Sequence, residues 1–176
     1  MSRSSEVSFG AEELIISKTD LKGNITYANR IFMRVSNFAE SELLGKPHNI
    51  IRHPDMPKGV FYGLWKTLKA GDEFFGFVKN YTADKNYYWV FANVTPDKVD
   101  NKPIGYFSVR RNAPRMALDY VQTLYSKMLE IERSAAKSEA AKKSWMWLEE
   151  ELLKSKGLSY DKAMLCLYLS HLDEGV

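Results

Sequence analysis

Between Phe74 and Arg111 the chain runs three times through aromatic and β-branched residues, at Phe74 to Thr82, Tyr87 to Thr95 and Lys102 to Arg111. Such runs favour strands, because these side chains pack well on a pleated, half-buried surface. The intervals Ala83-Asp84-Lys85-Asn86 and Pro96-Asp97 through Asn101 are turn-like and too short for a crossover helix, so consecutive strands run antiparallel. Successive side chains then point to opposite sides. One face is predicted to hold Phe74, Gly76, Val78 and Asn80, then Tyr88, Val90, Ala92 and Val94, then Gly105, Phe107 and Val109. It is mostly apolar, with small residues that leave room and one amide. The other face takes Phe75, Phe77, Lys79 and Tyr81, then Tyr87, Trp89, Phe91 and Asn93, then Tyr106 and Ser108. That face is aromatic where a solvated one would be polar, so something should cover it, either this chain or another.

Upstream, residues 1–11 read as a loose polar leader. Glu13 to Lys18 and Asn24 to Tyr27 form a hairpin around Thr19-Asp20-Leu21-Lys22-Gly23-Asn24, where Gly and Asn supply positions of positive φ. Ala28 to Ser36 carries Ile31, Phe32 and Val35 at helical spacing, and Glu40 to Leu44 is a short helix stopped at Gly45. A further amphipathic helix places Val60, Phe61, Leu64, Trp65 and Leu68 on one side and ends at Ala70-Gly71. Between these helices lies Gly45-Lys46-Pro47-His48-Asn49-Ile50-Ile51-Arg52-His53-Pro54-Asp55-Met56-Pro57. Its prolines bias the residues before them away from helix, giving turns and short helical pieces. Asn49, Arg52, His53 and Asp55 can converge there while Ile50, Ile51 and Met56 anchor the segment. The plainer reading is a linker with a local Arg52–Asp55 pair.

Downstream, Ala117, Val121, Leu124, Met128 and Ile131 fall at alternating spacings of four and three, as do Ala141, Trp145, Leu148 and Leu152. A packed helical hairpin is the expectation, with Arg133 to Lys143 as helix material that has little to bury. Gly157 breaks the pattern, and Ser159 starts a last helix from Tyr160 to about Leu172. Trp145 and Trp147 are either core or a partner anchor.

A length of 176 residues and a 45% hydrophobic content suit one packed domain with an appendage. The net charge of +3 comes from 25 basic and 22 acidic residues well mixed along the chain, which argues against a nucleic-acid-binding surface. The single cysteine, Cys166, excludes an intramolecular disulfide or a multi-cysteine metal site and fits a reducing cytosol. No apolar run suggests a secretory signal or a membrane span. A glycine-rich phosphate loop, an HExxH motif and a nucleophile elbow are all missing, so an enzyme is not expected.

The central string resembles the segment "GKPHNIVRHPDMP" of PAS sensory domains of the aerotaxis-receptor type. "TDLKGNITYAN", "GFVKN" and "YYWV" also occur in that family's order, so the resemblance covers about residues 12–112. It implies an α+β fold, a five-stranded antiparallel sheet with short helices on one face, followed here by an α-helical tail over residues 113–176. It also implies bound FAD. By resemblance Asn80 borders the flavin ring, Phe74 stands where the family commonly has tryptophan, and Asn29, Arg52, His53 and Asp55 match other positions implicated in flavin binding. An amide suits the lactam edge of a flavin, and a planar guanidinium can fork onto phosphate. Cys166 lies far outside the module, so thiol-adduct photochemistry does not fit.

These implications add up to a cytoplasmic redox or energy sensor that signals by conformation to a separate membrane chemoreceptor. The aromatic sheet face and the tail are the nominated contact surfaces, and a homodimer through either is the rival. Two other readings stay open: a cofactor-free PAS interaction module, and a haem sensor using His48 or His53 as axial ligand.

Overall fold

The computed structural model describes residues 4–170. Five strands, β1 (Ile15–Asp20), β2 (Ile25–Ala28), β3 (Phe74–Tyr81), β4 (Tyr87–Val99) and β5 (Lys102–Asn112), form one antiparallel sheet in the order β2-β1-β5-β4-β3. The β1–β2 turn is tied by Asp20, whose Oδ1 accepts from the backbone N–H groups of Lys22 and Asn24 at 2.8 and 2.9 Å, with Gly23 at φ 85°. Between β2 and β3 come α1 (Arg30–Ser36), α2 (Glu40–Leu43), a 3-10 turn (His48–Ile51) and α3 (Lys58–Lys69). The tail holds α4 (Arg115–Ser134), α5 (Ala140–Lys156) and α6 (Tyr160–Leu169). Leu172, placed by sequence near the end of the last helix, lies outside the described residues.

Both edges of the sheet are engaged. Beside β2, Ile25 N–H donates to Lys46 O and Gly45 N–H to Ile25 O, each at 2.8 Å. Beside β3, the Tyr125 hydroxyl donates to Phe77 O at 2.7 Å, and Lys79 N–H reaches Met56 Sδ at 3.2 Å.

The faces of β3 and β4 are as expected from alternation, but those of β5 are reversed. The β4–β5 connection is a two-residue turn, Asp100-Asn101, with both φ positive at 48° and 61°. This is the primed geometry that two-residue hairpins favour, and both strands reach further than the sequence suggested. The register then shifts between Asp97 and Lys98: Lys98 opposes Pro103, but Asp97 opposes Gly105, leaving Ile104 as an extra residue. A bulge of this kind swaps the faces of everything beyond it. Tyr106, Ser108 and Arg110 therefore share a face with Val94 and Ala92, while Gly105, Phe107 and Val109 turn to the other side.

The tail of the same chain covers the aromatic outer face. Trp89 and Phe91 are buried, Tyr125 lies 6.4 Å from Trp89 between ring centres, and Tyr168 stacks on Phe91 at 4.2 Å. Arg133 to Lys143 is not continuous helix, because the chain turns between α4 and α5 to make the expected hairpin. Helix α5 packs on α3, where Gly59 and Gly63 permit close approach. A Cβ at Gly63 would meet the Trp145 ring at 2.3 Å, and one at Gly59 would meet Ser144 Oγ at 2.2 Å. Trp145 is therefore core.

Glu132 fastens the same junction. Its Oε1 accepts from Gly59 N–H at 2.8 Å and Ser144 Oγ at 2.7 Å, and its Oε2 accepts from Lys58 N–H at 3.1 Å. Pro57, at the N-cap of α3, has no side chain that can accept a hydrogen bond, so a residue from the tail meets the helix's first amides. The leader is less loose than its polarity suggested: Phe9 is buried and Val7 N–H donates to Tyr87 O at 2.7 Å.

Candidate functional site

Helix α3 stands off the inner face of the sheet and leaves a cavity of about 440 Å³, within the range of roughly 300–1,000 Å³ usual for small-molecule sites. Phe61, Leu64, Trp65 and Leu68 of α3 face Val78, Ala92 and Val94 of the sheet across it. The apolar stripe of α3 thus lines a hollow instead of filling a core. Trp65 and Tyr106 meet edge to face, 5.4 Å apart, on one wall.

Two polar side chains are buried against this space. Asn80 on β3 is 4% exposed, and its amide makes no hydrogen bond to the described residues. Arg110 on β5 is 2% exposed. Its Nη2 donates to Ser17 Oγ at 2.6 Å, its Nη1 lies 3.2 Å from His48 Nε2, and its guanidinium sits 4.4 Å from the centre of the Phe32 ring. Its Nε has no partner, and among the described residues no carboxylate forms an ion pair with it. Burial lowers its pKa to about 10, so it is a cation at neutral pH. The Tyr88 hydroxyl nearby is also buried without a partner.

Because arginine only donates, His48 Nε2 must accept from Nη1, which puts the imidazole proton on Nδ1. Enclosure lowers the His48 pKa to about 3, and the Arg110 charge acts in the same direction. The unfolded chain takes up this proton near pH 6.5 and the folded chain near 3, so stability should fall as pH drops between those values, by about 1.4 kcal/mol per unit. Denaturant melts from pH 7 to 4 would measure this slope, and His48→Gln should flatten it. An equal slope in the variant would mean that other groups set it.

The six residues marked by resemblance are not all brought together. Asn80 and Arg52 line the cavity. Arg52 is half-buried with its guanidinium 3.7 Å from the centre of the Phe61 ring, and it makes no ion pair with a described carboxylate. Asn29 is instead the N-cap of α1: its Oδ1 accepts from Phe32 N–H at 2.9 Å and Ile16 N–H at 3.1 Å, and its Nδ2 donates to Leu14 O at 2.8 Å. Asp55 pairs with Lys79 at 2.7 Å and not with Arg52.

His53 is buried against Tyr81, and its Nδ1 accepts from Asp55 N–H at 3.1 Å. Burial, with the Lys79 charge, keeps it neutral against the pull of Asp55, so its approach to that carboxylate is not an ion pair. Phe74 is buried on the inner face and stacks on Tyr160 of α6 at 5.6 Å. Of the supposed anchors, Ile51 and Met56 are buried, but Ile50 is 39% exposed.

Sequence reading missed His48, Trp65, Tyr106 and Arg110 as lining residues. Trp65 looked like ordinary helix core. His48 was weighed only as a haem ligand, and the bulge hid Tyr106 and Arg110.

Residues 25–110 match the family described as PAS fold. The chain is 44% identical over 111 residues to the aerotaxis receptor of Escherichia coli (strain K12), covering 63% of this chain and 22% of the relative. It is 31% identical over 81 residues to the nitrogen fixation regulatory protein of Klebsiella pneumoniae, covering 46% of this chain and 16% of the relative. It thus spans less than a quarter of the length of these curated relatives. In structure it resembles the light-state blue-light photoreceptor Aureochrome1 LOV, with a TM-score of 0.54, 19% identity, 69% of this chain and 93% of that chain covered. Among the described residues no helix is long and apolar enough to cross a membrane. With the sheet order, the cavity under α3 and the matched span in agreement, the chain carries over residues 25–110 a member of the PAS-fold family.

Proposed function

We propose that the cavity holds FAD and that the chain is a cytoplasmic redox or energy sensor acting on a separate membrane chemoreceptor. The observation that carries this is a largely apolar slot whose buried polar side chains, Asn80 and Arg110, keep hydrogen-bonding capacity unused by the protein. Such capacity is costly to bury without a ligand to use it. The residues fit a flavin: Trp65 and Tyr106 offer aromatic walls, the Asn80 amide suits a lactam edge, and Arg110 favours negative charge on the ring. Arg52, at the cavity's edge, suits phosphate.

A cofactor-free module would leave the Arg110 charge without a counter-anion and its Nε without an acceptor, although Ser17, His48 and the Phe32 ring hold the rest of the guanidinium. A haem held by His48 would need the Nε2 lone pair that Arg110 occupies, and His53, the other candidate ligand, does not line the cavity.

When bound, a flavin supplies a redox couple whose reduced ring carries an added proton. The chain's part is to register that change. Asn80 can turn its amide from donor to acceptor. Along the same strand, Phe77 O is held by Tyr125 of the tail, so a shift in β3 reaches α4 directly. Trp89 and Leu124, nominated by sequence as contact residues, are buried in this arrangement, so a receptor reaches them after the tail moves.

The purified protein should show flavin absorbance near ~370 and ~450 nm. Folded protein that stays colourless after reconstitution with excess FAD would refute the reading. Asn80→Leu should fold normally yet lose two redox-dependent responses: the change in amide exchange of α4–α6 and the capture of chemoreceptors in pull-downs. If both responses persist in Asn80→Leu, the trigger lies elsewhere.

A further inference from the structure

The central stretch separates two hollows that share Asn49 and Arg52. The first is the cavity under α3. The second is an open groove of about 500 Å³, walled on one side by Asn49, Arg52, His53 and Lys58 and on the other by Leu129 and Glu132 of α4. We infer that this groove receives the adenosine diphosphate half of a flavin dinucleotide, so that the tail helix α4 is one wall of the cofactor site. The inference rests on the flavin reading above and adds to it a second subsite, to which the tail contributes.

Three observations carry it. The first is adjacency: the two hollows share Asn49 and Arg52 as lining, so a ligand whose ring lies under α3 and whose chain passes these residues would reach this groove. The second is charge. Arg52 and Lys58 are cations on the groove with no described carboxylate in ion-pair contact, and the Arg52 fork is held in place on the Phe61 ring. A diphosphate is the ligand chemistry that such a pair recognises.

Glu132 would oppose an anion, but both its oxygens are committed to Lys58 N–H, Gly59 N–H and Ser144 Oγ. Its charge acts on Arg52 as well as on the start of α3, which favours an anion there, and the two cations Arg52 and Lys58 outnumber it on the groove. The third observation is that Pro54, Met56 and Leu129 add apolar surface to the same groove, where a purine can lie. His53 stays neutral with Nδ1 already taken by Asp55 N–H, so it shapes the groove without adding charge.

The consequence is selectivity. Riboflavin would use only the cavity, FMN would reach Arg52, and FAD alone would meet Lys58 and Leu129. Binding of riboflavin, FMN and FAD to the flavin-free full chain, followed by flavin fluorescence, tests this. The unmodified protein should prefer FAD over FMN by at least ~10-fold. Leu129→Glu should bring that ratio close to one and leave riboflavin affinity unchanged. Lys58→Glu, at an exposed side chain, should do the same, with unchanged riboflavin affinity reporting that the fold is intact.

Equal affinity for FMN and FAD in the unmodified protein, or a preference for FAD that survives Lys58→Glu, overturns the inference while the flavin reading stands. Failure of all three flavins to bind overturns both.

Discussion

Replacing Arg110 by methionine should stabilise the cofactor-free protein or leave it unchanged, and at the same time strip it of flavin. The guanidinium is buried, is lowered in pKa by that burial, and has an Nε with no partner. Exchanging a buried charge for an apolar side chain of similar size is commonly neutral or favourable, here by roughly 0–3 kcal/mol. Ser17 Oγ and His48 Nε2, which lose a donor, remain 3.2 Å from each other and can pair. Any flavin retained should have a lower midpoint potential, since a cation beside the ring would favour electrons on it. About 30 mV corresponds to ~1.4 kcal/mol for a two-electron couple. Chemical denaturation of the apoprotein and a spectroelectrochemical titration read the two effects separately. A variant that unfolds yet keeps its flavin and potential would make Arg110 a structural residue only.

The second large effect is expected at Gly63. Its Cα faces the Trp145 ring so closely that a methyl group there would sit 2.3 Å from the indole, which is buried at 2% exposure and has little room to move. Overpacking of a rigid contact costs about 1–3 kcal/mol, and a β-branched residue more. Gly63→Val should therefore prise α5 from α3 before it unfolds the sheet. Amide exchange would quicken in α5 and α6 with β3–β5 still protected, and the protein would still take up riboflavin. Unchanged protection in α5 would mean that the helices have more freedom than their spacing indicates.

Much of this architecture was legible in the sequence because the signals were local. Gly157 ends α5 at φ 66°, and the β1–β2 turn is where its glycine and asparagine put it. The aromatic outer face announced that it would be covered. What escaped was non-local. Without a bulge, the Asp100-Asn101 hairpin would set Phe107 opposite Val94, the arrangement that alternation suggested. One extra residue, Ile104, sets Ser108 there instead and sends Arg110 inward.

Gly105 marks the place, since a Cβ would lie 2.0 Å from Thr19 O, but a glycine at the end of a strand looks like turn chemistry. Asn29 shows the converse. Its type and position matched a ligand-binding pattern, while the physical demand on it comes from the unmet amide at the start of α1 and the backbone of β1.

The engaged margins of the sheet bear on how such a chain can meet others. A sheet with a bare margin invites a strand from another molecule, which is both a route to recognition and a route to aggregation. Here Gly45 and Lys46 take the outer bonds of β2, while Tyr125 and Met56 engage groups along β3. Strand exchange is therefore an expensive way in for any partner, and neighbouring copies have little to zip onto. A partner of such a chain would more readily read helical surfaces, whose arrangement can change by rigid displacement without melting the sheet that frames the cavity.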